Sequence, residues 1–96
     1  GIWEQYENFR IYTRMIVEGK IKLEELKQSI TQIKPYYEFI NEDGTVEKWS
    51  LPKSVDEVKA EIQEIIDKGE IELKQIVEKR NEAFEVIRQH NLEHYL

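Results

Sequence analysis

The sequence predicts a mainly α-helical fold: a long antiparallel two-helix hairpin, similar to a coiled coil, with a short β-hairpin at the connecting tip. Two long segments repeat apolar residues at the three- and four-residue spacing of an α-helix. Pro35 and a turn-forming stretch separate the two segments. Because the chain has 96 residues, helices of this length can bury their apolar stripes only against each other, within one domain that spans residues 1–96.

The first helix is predicted over residues 2–33. From Phe9 to Ile33 the apolar positions follow steps of three and four if Gly19 occupies its place in the series. This spacing gives one seam along one side of the helix. Pro35 ends the pattern, because proline disfavours helical geometry at the preceding residue and has no N–H to donate.

The connection, "YYEFINEDGTVEKWSLP", has a different character. Aromatic and β-branched residues flank the turn-forming tetrad "NEDG", which predicts a β-hairpin over residues 36–49 whose second strand begins at Thr45. A two-stranded hairpin alone is only marginally stable in water. Its aromatic residues, Tyr37, Phe39 and Trp49, are therefore expected to pack on the helix ends or on a partner.

The second helix is predicted over residues 54–89. Ser54 and Glu57 form a Ser-x-x-Glu capping box, in which the hydroxyl and the carboxylate each accept a hydrogen bond from a backbone N–H at the helix start. Apolar residues then recur at helical spacing. They are Val55, Val58, Ile62, Ile65, Ile66, Leu73, Ile76, Val77, Phe84 and Ile87. The last residues, "HNLEHYL", are expected to fray.

Each predicted helix contains one glycine in a similar context, Gly19 in "VEGKIKL" and Gly69 in "DKGEIEL". Glycine costs up to about 1 kcal/mol relative to alanine inside a helix, so its repeated use suggests a structural reason. One interpretation is that the glycines let two continuous helices approach closely or bend together. The alternative is that each glycine ends a helix, which would give four shorter helices.

The antiparallel arrangement also predicts which residues face each other. If Ile33 lies opposite Val55, the numbers of facing residues sum to about 88, and the two glycines lie at the same level. In this register Lys27 falls near Glu61 or Glu64. Surface ion pairs of this kind contribute little stability, typically under about 1 kcal/mol, but they help to select the register.

Few residues suggest a chemical site. His90 and His94 are the only histidines, and on a helix their spacing of four would place them on one face, where they could bind zinc or nickel. The alternative is that they are cationic side chains favoured near a helix C-terminus. The chain has no glycine-rich phosphate loop, serine nucleophile elbow or acidic calcium loop. We therefore predict no catalytic residues, no cofactor, no small-molecule substrate and no enzymatic activity.

Composition narrows the possible partners. The net charge is −6 and acidic residues are interleaved with basic ones, which argues against nucleic-acid binding. No apolar run approaches the roughly 20 residues that a membrane-spanning helix needs. The absence of cysteine excludes disulfides, thiolate nucleophiles and cysteine metal sites. Since no secretory signal is recognised either, we expect a cytoplasmic protein without nucleic-acid or membrane partners.

Apolar residues that fall outside the seam predict a binding surface for another protein or for further copies of the chain. A two-helix hairpin buries one face of each helix, so apolar side chains elsewhere need a second contact. The residues expected to make it are Trp3, Tyr12, Met15, Ile21 and Trp49. The alternative function is a small acidic inhibitor or regulator that binds a basic site on a host protein.

Two stretches resemble small proteins encoded in prophage tail gene clusters, of the Xkd type. In "YENFRIYTRMIVEGKIKLEELKQSIT" the matching positions are Tyr12, Thr13, Val17, Gly19, Ile21, Glu24 and Glu25, whereas Lys22 stands where that pattern usually has Thr. In "FINEDGTVEKWSLPKSVDEV" the matching positions are Asp43, Gly44, Trp49, Pro52, Ser54 and Glu57. Together the stretches cover about half of the chain. The resemblance implies a virion or assembly role in a phage or prophage, with no catalysis and a virion-associated location.

Overall fold

Two long helices form an antiparallel pair, and a two-stranded antiparallel sheet connects them at one end. The computed structural model describes all 96 residues. In chain order the elements are α1 (Ile2–Ser29), β1 (Tyr36–Ile40), β2 (Val46–Ser50), α2 (Val55–Gln89) and a short 3₁₀ turn (Glu93–Tyr95). The predicted fold class, a mainly helical hairpin with a β-hairpin between its helices, is confirmed.

The molecule is a rod. Its principal extents are 63 × 30 × 18 Å, and its radius of gyration is 20.8 Å, against about 12 Å for a compact domain of this length. The length follows from the helices, since α2 has 35 residues and rises about 1.5 Å per residue. The β-hairpin lies at one end of the rod, and both chain termini lie at the other, which we call the free end.

Both helices run without interruption through their glycines, so the four-helix alternative is wrong. The glycines do not face each other. Each instead faces a leucine of the opposite helix: a Cβ added at Gly19 would lie 3.1 Å from Leu73 Cδ1, and one added at Gly69 would lie 2.8 Å from Leu23 Cδ2. The missing side chains make room for two leucines, and the helices can approach closely at both levels.

These contacts correct the predicted register by one helical turn. The numbers of facing residues sum to 92 at both glycine–leucine contacts, rather than to 88. Lys27 pairs with neither Glu61 nor Glu64: Lys27 Nζ lies 2.8 Å from Glu70 Oε1, farther along α2 than the predicted partners. The hydrogen bond and the charge of Glu70 raise the pKa of Lys27. The error arose because the predicted register was anchored on Ile33, which lies outside α1.

The core is a thin seam between the helices. The buried residues are Ile16, Leu23, Ile66, Ala83 and Ile87. Phe9 and Phe84 extend the seam toward the free end, with ring centroids 5.8 Å apart. Ile65, which the apolar spacing assigned to the seam, is instead exposed, and the buried Ala83 was not in the predicted series. Only five residues are buried, and several large apolar side chains on both helices stay exposed.

α1 ends at Ser29, four residues earlier than predicted. The hydroxyl of Ser29 donates to the Leu26 carbonyl at 2.9 Å, and that of Thr31 donates to the Gln28 carbonyl at 2.8 Å. The Thr31 N–H also bonds the Gln28 carbonyl, a three-residue step that tightens the turn. These local bonds end the helix before Pro35 can affect it.

α2 begins as predicted, with Ser54 as its N-cap. The Ser54 hydroxyl accepts a hydrogen bond from the Glu57 N–H at 3.1 Å. The reciprocal hydrogen bond, in which the Ser54 N–H would donate to the Glu57 carboxylate, is absent, so only half of the predicted capping box is formed. Asp56 and Glu57 nevertheless lie in the first turn, where the helix dipole favours negative charge.

α2 ends at Gln89 in a Schellman motif. Asn91 adopts a left-handed φ of 57°, the Leu92 N–H bonds the Ile87 carbonyl, and the Asn91 N–H bonds the Arg88 carbonyl. The tail beyond this turn was expected to fray, but it forms the 3₁₀ turn and lies against α1. There the Tyr6 hydroxyl donates to the Tyr95 carbonyl at 2.6 Å.

Five residues connect the paired strands of the β-hairpin, and a hydrogen bond from the Asn41 N–H to the Thr45 carbonyl encloses a three-residue loop within them. β1 and β2 pair from Tyr36↔Ser50 to Ile40↔Val46, so the second strand starts at Val46, one residue later than predicted. The loop ends at Gly44, whose φ of 85° lies in the region that favours glycine. The predicted turn at "NEDG" is therefore confirmed.

The glycine–leucine contact predicts an unusual response to Gly69→Ala. Alanine normally stabilises a helix interior by up to about 1 kcal/mol relative to glycine. Here the added Cβ would lie 2.8 Å from a methyl group of the buried Leu23. We expect this overlap to outweigh the gain, so that Gly69→Ala lowers the free energy of unfolding by about 1 kcal/mol in a urea titration.

The matched control is the same substitution with the clash removed. In a Leu23→Ala background, Gly69→Ala should raise the free energy of unfolding by up to about 1 kcal/mol, because only the helix propensity then remains. Gly19→Ala, with its Cβ 3.1 Å from Leu73, should be the milder of the two single substitutions. A Gly69→Ala chain more stable than the wild type would show that Leu23 does not fill this position.

Candidate interaction surface

The β-hairpin presents an aromatic face, which consists of Tyr37, Phe39 and Trp49. Tyr37 is paired with Trp49 across the strands, and Phe39 lies two residues from Tyr37, so the three side chains project from the same side of the sheet. Ring centroids are 6.5 Å apart for Tyr37 and Phe39 and 5.9 Å apart, edge to face, for Phe39 and Trp49. At least half of each side chain is exposed, and Trp49 is 61% exposed.

The backbone of the hairpin stands apart from the helices, although Tyr36 and Tyr37 line a cleft that Val58 of α2 also lines. No Cα of β1 or β2 lies within 8 Å of a helix Cα. Its second face is also open, apart from Tyr36, over whose ring Lys48 Nζ lies at 4.8 Å. The helix ends therefore do not cover the aromatic face, and a partner remains the prediction.

The link between the hairpin and the helix pair is polar and lies in the loop after β2. Lys53 in this loop forms an ion pair with Glu61 on α2, and that contact raises the pKa of Lys53. An open cleft beside the pair is lined by Ile33, Leu51 and Val58, among others. The ion pair is half exposed, so it orients the loop and contributes little stability.

α1 has exposed apolar residues in two pairs outside the seam. Ile11 and Met15 are four residues apart and lie on one flank, and Val17 and Ile21 are four apart on the side opposite the seam. Arg10 and Arg14 lie between these two pairs and line a shallow depression on this surface. The surplus apolar surface predicted for this helix is therefore present, but it is divided by arginines.

Aromatic side chains also meet at the free end. The Trp3 ring lies 6.0 Å from Tyr6 and 6.4 Å from Tyr95, both edge to face. This contact holds the C-terminal turn on α1. Trp3 still remains 63% exposed, because its partners cover only its edges.

The five predicted partner-binding residues do not form one surface. Trp3 lies at the free end, Met15 and Ile21 lie on different sides of α1, and Trp49 lies on the hairpin, and all four are exposed. Tyr12 lies on the seam side of α1 and is half-buried, which leaves it least available to a partner. The predicted partner-binding residues thus lie in three separate regions, which are the hairpin, α1 and the free end.

Sequence reasoning missed an acidic surface on α2. The side of α2 opposite the seam carries residues at steps of three, four and seven, which are the exposed Glu64, Asp67, Ile71, Glu78 and Glu82 and the partly buried Glu85. Lys68 forms an ion pair with Glu64, and Arg88 forms one with Glu85. The negative charge of this surface is therefore only partly neutralised. The helical spacing of these acids was visible in the sequence, but the face could be recognised only once the seam was known.

The histidine pair does not form the predicted helical site. α2 ends before His90, and the Schellman turn at Asn91 carries His94 into the 3₁₀ turn, so the two side chains do not share a helix face. His90 Nδ1 lies 2.8 Å from the Val86 carbonyl oxygen, and the His94 ring lies 4.2 Å from that of Tyr95. No group of three or more histidine, aspartate or glutamate side chains is arranged to hold a metal ion.

Comparison with protein-family models, curated proteins and solved structures gives no match to this chain. The resemblance to prophage tail-region proteins therefore stays a prediction from the two sequence motifs. Neither helix has the combination of length and apolar character needed to cross a bilayer.

The hairpin loop should respond to acid. The Asp43 carboxylate accepts hydrogen bonds from the Thr45 hydroxyl at 2.6 Å and the Thr45 N–H at 2.9 Å, and these bonds hold the pKa of Asp43 below its ordinary value of 3.8. A carboxyl group with a lowered folded-state pKa stabilises the fold above its unfolded pKa. We expect this contribution to be complete above pH 3.8 and to disappear as the pH falls through the lower folded value.

The measurement is an NMR titration that follows the Thr45 amide resonance and the Asp43 carboxyl resonance. Asp43→Asn is the control, since it should remove the titration step at the Thr45 amide while leaving the helix resonances unchanged. An Asp43 pKa at or above 3.8 would contradict the hydrogen-bonded loop.

Proposed function

We propose that this chain is a non-enzymatic structural or interaction protein, which docks on a larger protein through the aromatic face of its β-hairpin and associates with further copies through its helices. In the phage or prophage setting that the sequence motifs imply, it serves as a virion or assembly component. The helix pair acts as a spacer about 50 Å long that holds the hairpin away from the termini.

One observation carries the proposal: the rest of the chain leaves the aromatic face open to solvent. Tyrosine and tryptophan are favoured anchors of protein interfaces, because they bury a large area at low conformational cost. Three adjacent aromatic side chains that stay at least half exposed form the kind of patch that a protein partner covers.

Affinity capture from the native source tests the docking. Wild-type chain immobilised through its termini should retain a protein partner, and Tyr37→Ser with Trp49→Ser should reduce the retained amount at least about tenfold, as expected when interface anchors are lost. Circular dichroism should show unchanged helix content, because the strands do not contact the helices.

The matched control is Val17→Ser with Ile21→Ser, which removes exposed apolar side chains from α1 instead. It should retain the partner. Tyr37→Ser alone keeps the Phe39–Trp49 contact and the Asp43 loop, so weaker capture by this variant cannot come from an unfolded hairpin. Equal capture by the wild type and both hairpin variants would rule out docking through this face.

A second candidate function is an acidic inhibitor or regulator of a host protein, and the acidic surface of α2 favours it. Four exposed acids on this surface, Asp67, Glu78, Glu82 and Glu64, lie on one side of one helix. A surface of one sign speeds association with a basic site. In this case Glu78→Lys with Glu82→Lys should abolish capture of the host protein, and the hairpin variants should have no effect.

A further inference from the structure

One acidic side chain lies within the aromatic face of the hairpin. Glu47 pairs with Phe39 across the strands, two residues before Trp49 in β2. Its side chain therefore projects from the same side of the sheet as the three rings. The Trp49 indole N–H donates to Glu47 Oε2 at 3.0 Å, and the Asn41 side-chain amide donates to Glu47 Oε1 at 3.4 Å. These two bonds hold the carboxylate beside the Trp49 ring.

The chain supplies no positive charge to this carboxylate. Glu47 is exposed and forms no ion pair within the chain. The adjacent residue, Lys48, projects from the opposite face of the sheet, where its Nζ lies 4.8 Å from the centroid of the Tyr36 ring. The other strand positions on the aromatic face carry no lysine or arginine. This face therefore combines three exposed rings with one carboxylate that lacks a cation.

A partner that covers these rings also covers the carboxylate, because Glu47 is bonded to the Trp49 indole. An apolar partner surface would bury the carboxylate without a counter-charge, which is costly. A positively charged side chain removes that cost and is also attracted to the negative faces of the aromatic rings. Among such side chains arginine fits best, because its planar guanidinium can stack on a ring and donate to a carboxylate at the same time.

We propose that the partner of the aromatic face presents an arginine side chain, which lies on the rings and forms an ion pair with Glu47. This inference rests on the docking proposed above and adds the chemistry of the group that the face recognises. The net charge of −6 supports it, because a negatively charged chain attracts a basic surface on a partner.

An NMR titration with two peptides tests the recognition. The probes are acetyl-Gly-Arg-Gly-amide and the same peptide with citrulline in place of arginine, since citrulline keeps the shape of arginine but has no charge. At constant total salt and up to about 100 mM peptide, a range that detects weak binding, the arginine peptide should shift the Trp49 indole N–H resonance in a saturable way. The citrulline peptide should bind at least about threefold more weakly, because a cation at an exposed site contributes about that much.

Glu47→Gln removes the charge but keeps an oxygen that can accept from the Trp49 indole. This variant should bind the arginine peptide at least about threefold more weakly than the wild type does. Its Thr45 amide resonance should stay unchanged, because the loop held by Asp43 remains folded. Glu38→Gln is the matched control: it changes the net charge equally but lies on the opposite face of the sheet, and it should bind the peptide as the wild type does.

Three results of the titration would overturn the arginine site. They are equal binding of the two peptides, equal binding of the arginine peptide by the wild type and Glu47→Gln, and an unshifted Trp49 indole resonance. A shift of this resonance on dilution of the protein alone would show that a second copy covers the face instead, which would also overturn it.

Capture from the native source separates the arginine site from the docking itself. If Tyr37→Ser with Trp49→Ser reduces capture of a partner and Glu47→Gln does not, the docking stands and the arginine site is overturned. If the arginine peptide binds selectively while no hairpin variant changes capture, the preference of the face for arginine is supported and the docking is rejected.

Discussion

Reciprocal packing of two leucines over two glycines sets the level of every other contact in the helix pair. The segments "GKIKL" and "GEIEL" each place a leucine four residues after a glycine. Because the helices are antiparallel, Leu23 meets Gly69 while Leu73 meets Gly19, and the same short motif fits against itself. A slip of one turn would bring glycine opposite glycine, leaving a void between the helices and two leucines without space. Shape at these two levels therefore selects the register more strongly than the exposed ion pair of Lys27 with Glu70.

A fold built on a single seam necessarily leaves apolar surface uncovered. Each helix has one side facing its neighbour, so Ile21 and Ile71, which point away from it, cannot be buried within the chain. The hairpin adds a second uncovered region, since its strands lie beyond the helix ends. A partner or a further copy can supply the missing contact.

Sequence reasoning succeeded where a local signal was strong and failed where two local signals competed. The start of α2 was predictable because Ser54 at the N-cap and the apolar spacing after it agree. The end of α1 was not, because Pro35 is a conspicuous helix breaker, whereas the hydroxyl groups of Ser29 and Thr31 end the helix through hydrogen bonds visible only in the fold. The histidine pair failed for a similar reason: Asn91 was not recognised as the left-handed residue that ends α2.

The register could not be read from apolar spacing, because a seam of three- and four-residue steps is nearly unchanged by a shift of one turn. The two registers differ because glycine and leucine differ in size. A pattern of apolar and polar positions contains no information about side-chain size, so it cannot distinguish the registers. The same holds for the surfaces. The acidic residues of α2 can be identified in the sequence, but which of them share a face with Ile71 depends on where the seam lies.

The aromatic face of the hairpin has to stabilise the hairpin and remain available to a partner at the same time. A two-stranded sheet is marginal without support, and here the support is the Asp43–Thr45 loop and the contact of Phe39 with Trp49. A partner that covers these rings would stabilise the strands as it binds, since a ligand that binds only the folded state shifts the folding equilibrium toward that state. Folding of the hairpin and recognition at the hairpin are thus coupled. The helix pair need not change as the hairpin binds, because no Cα of the strands lies within 8 Å of a helix Cα.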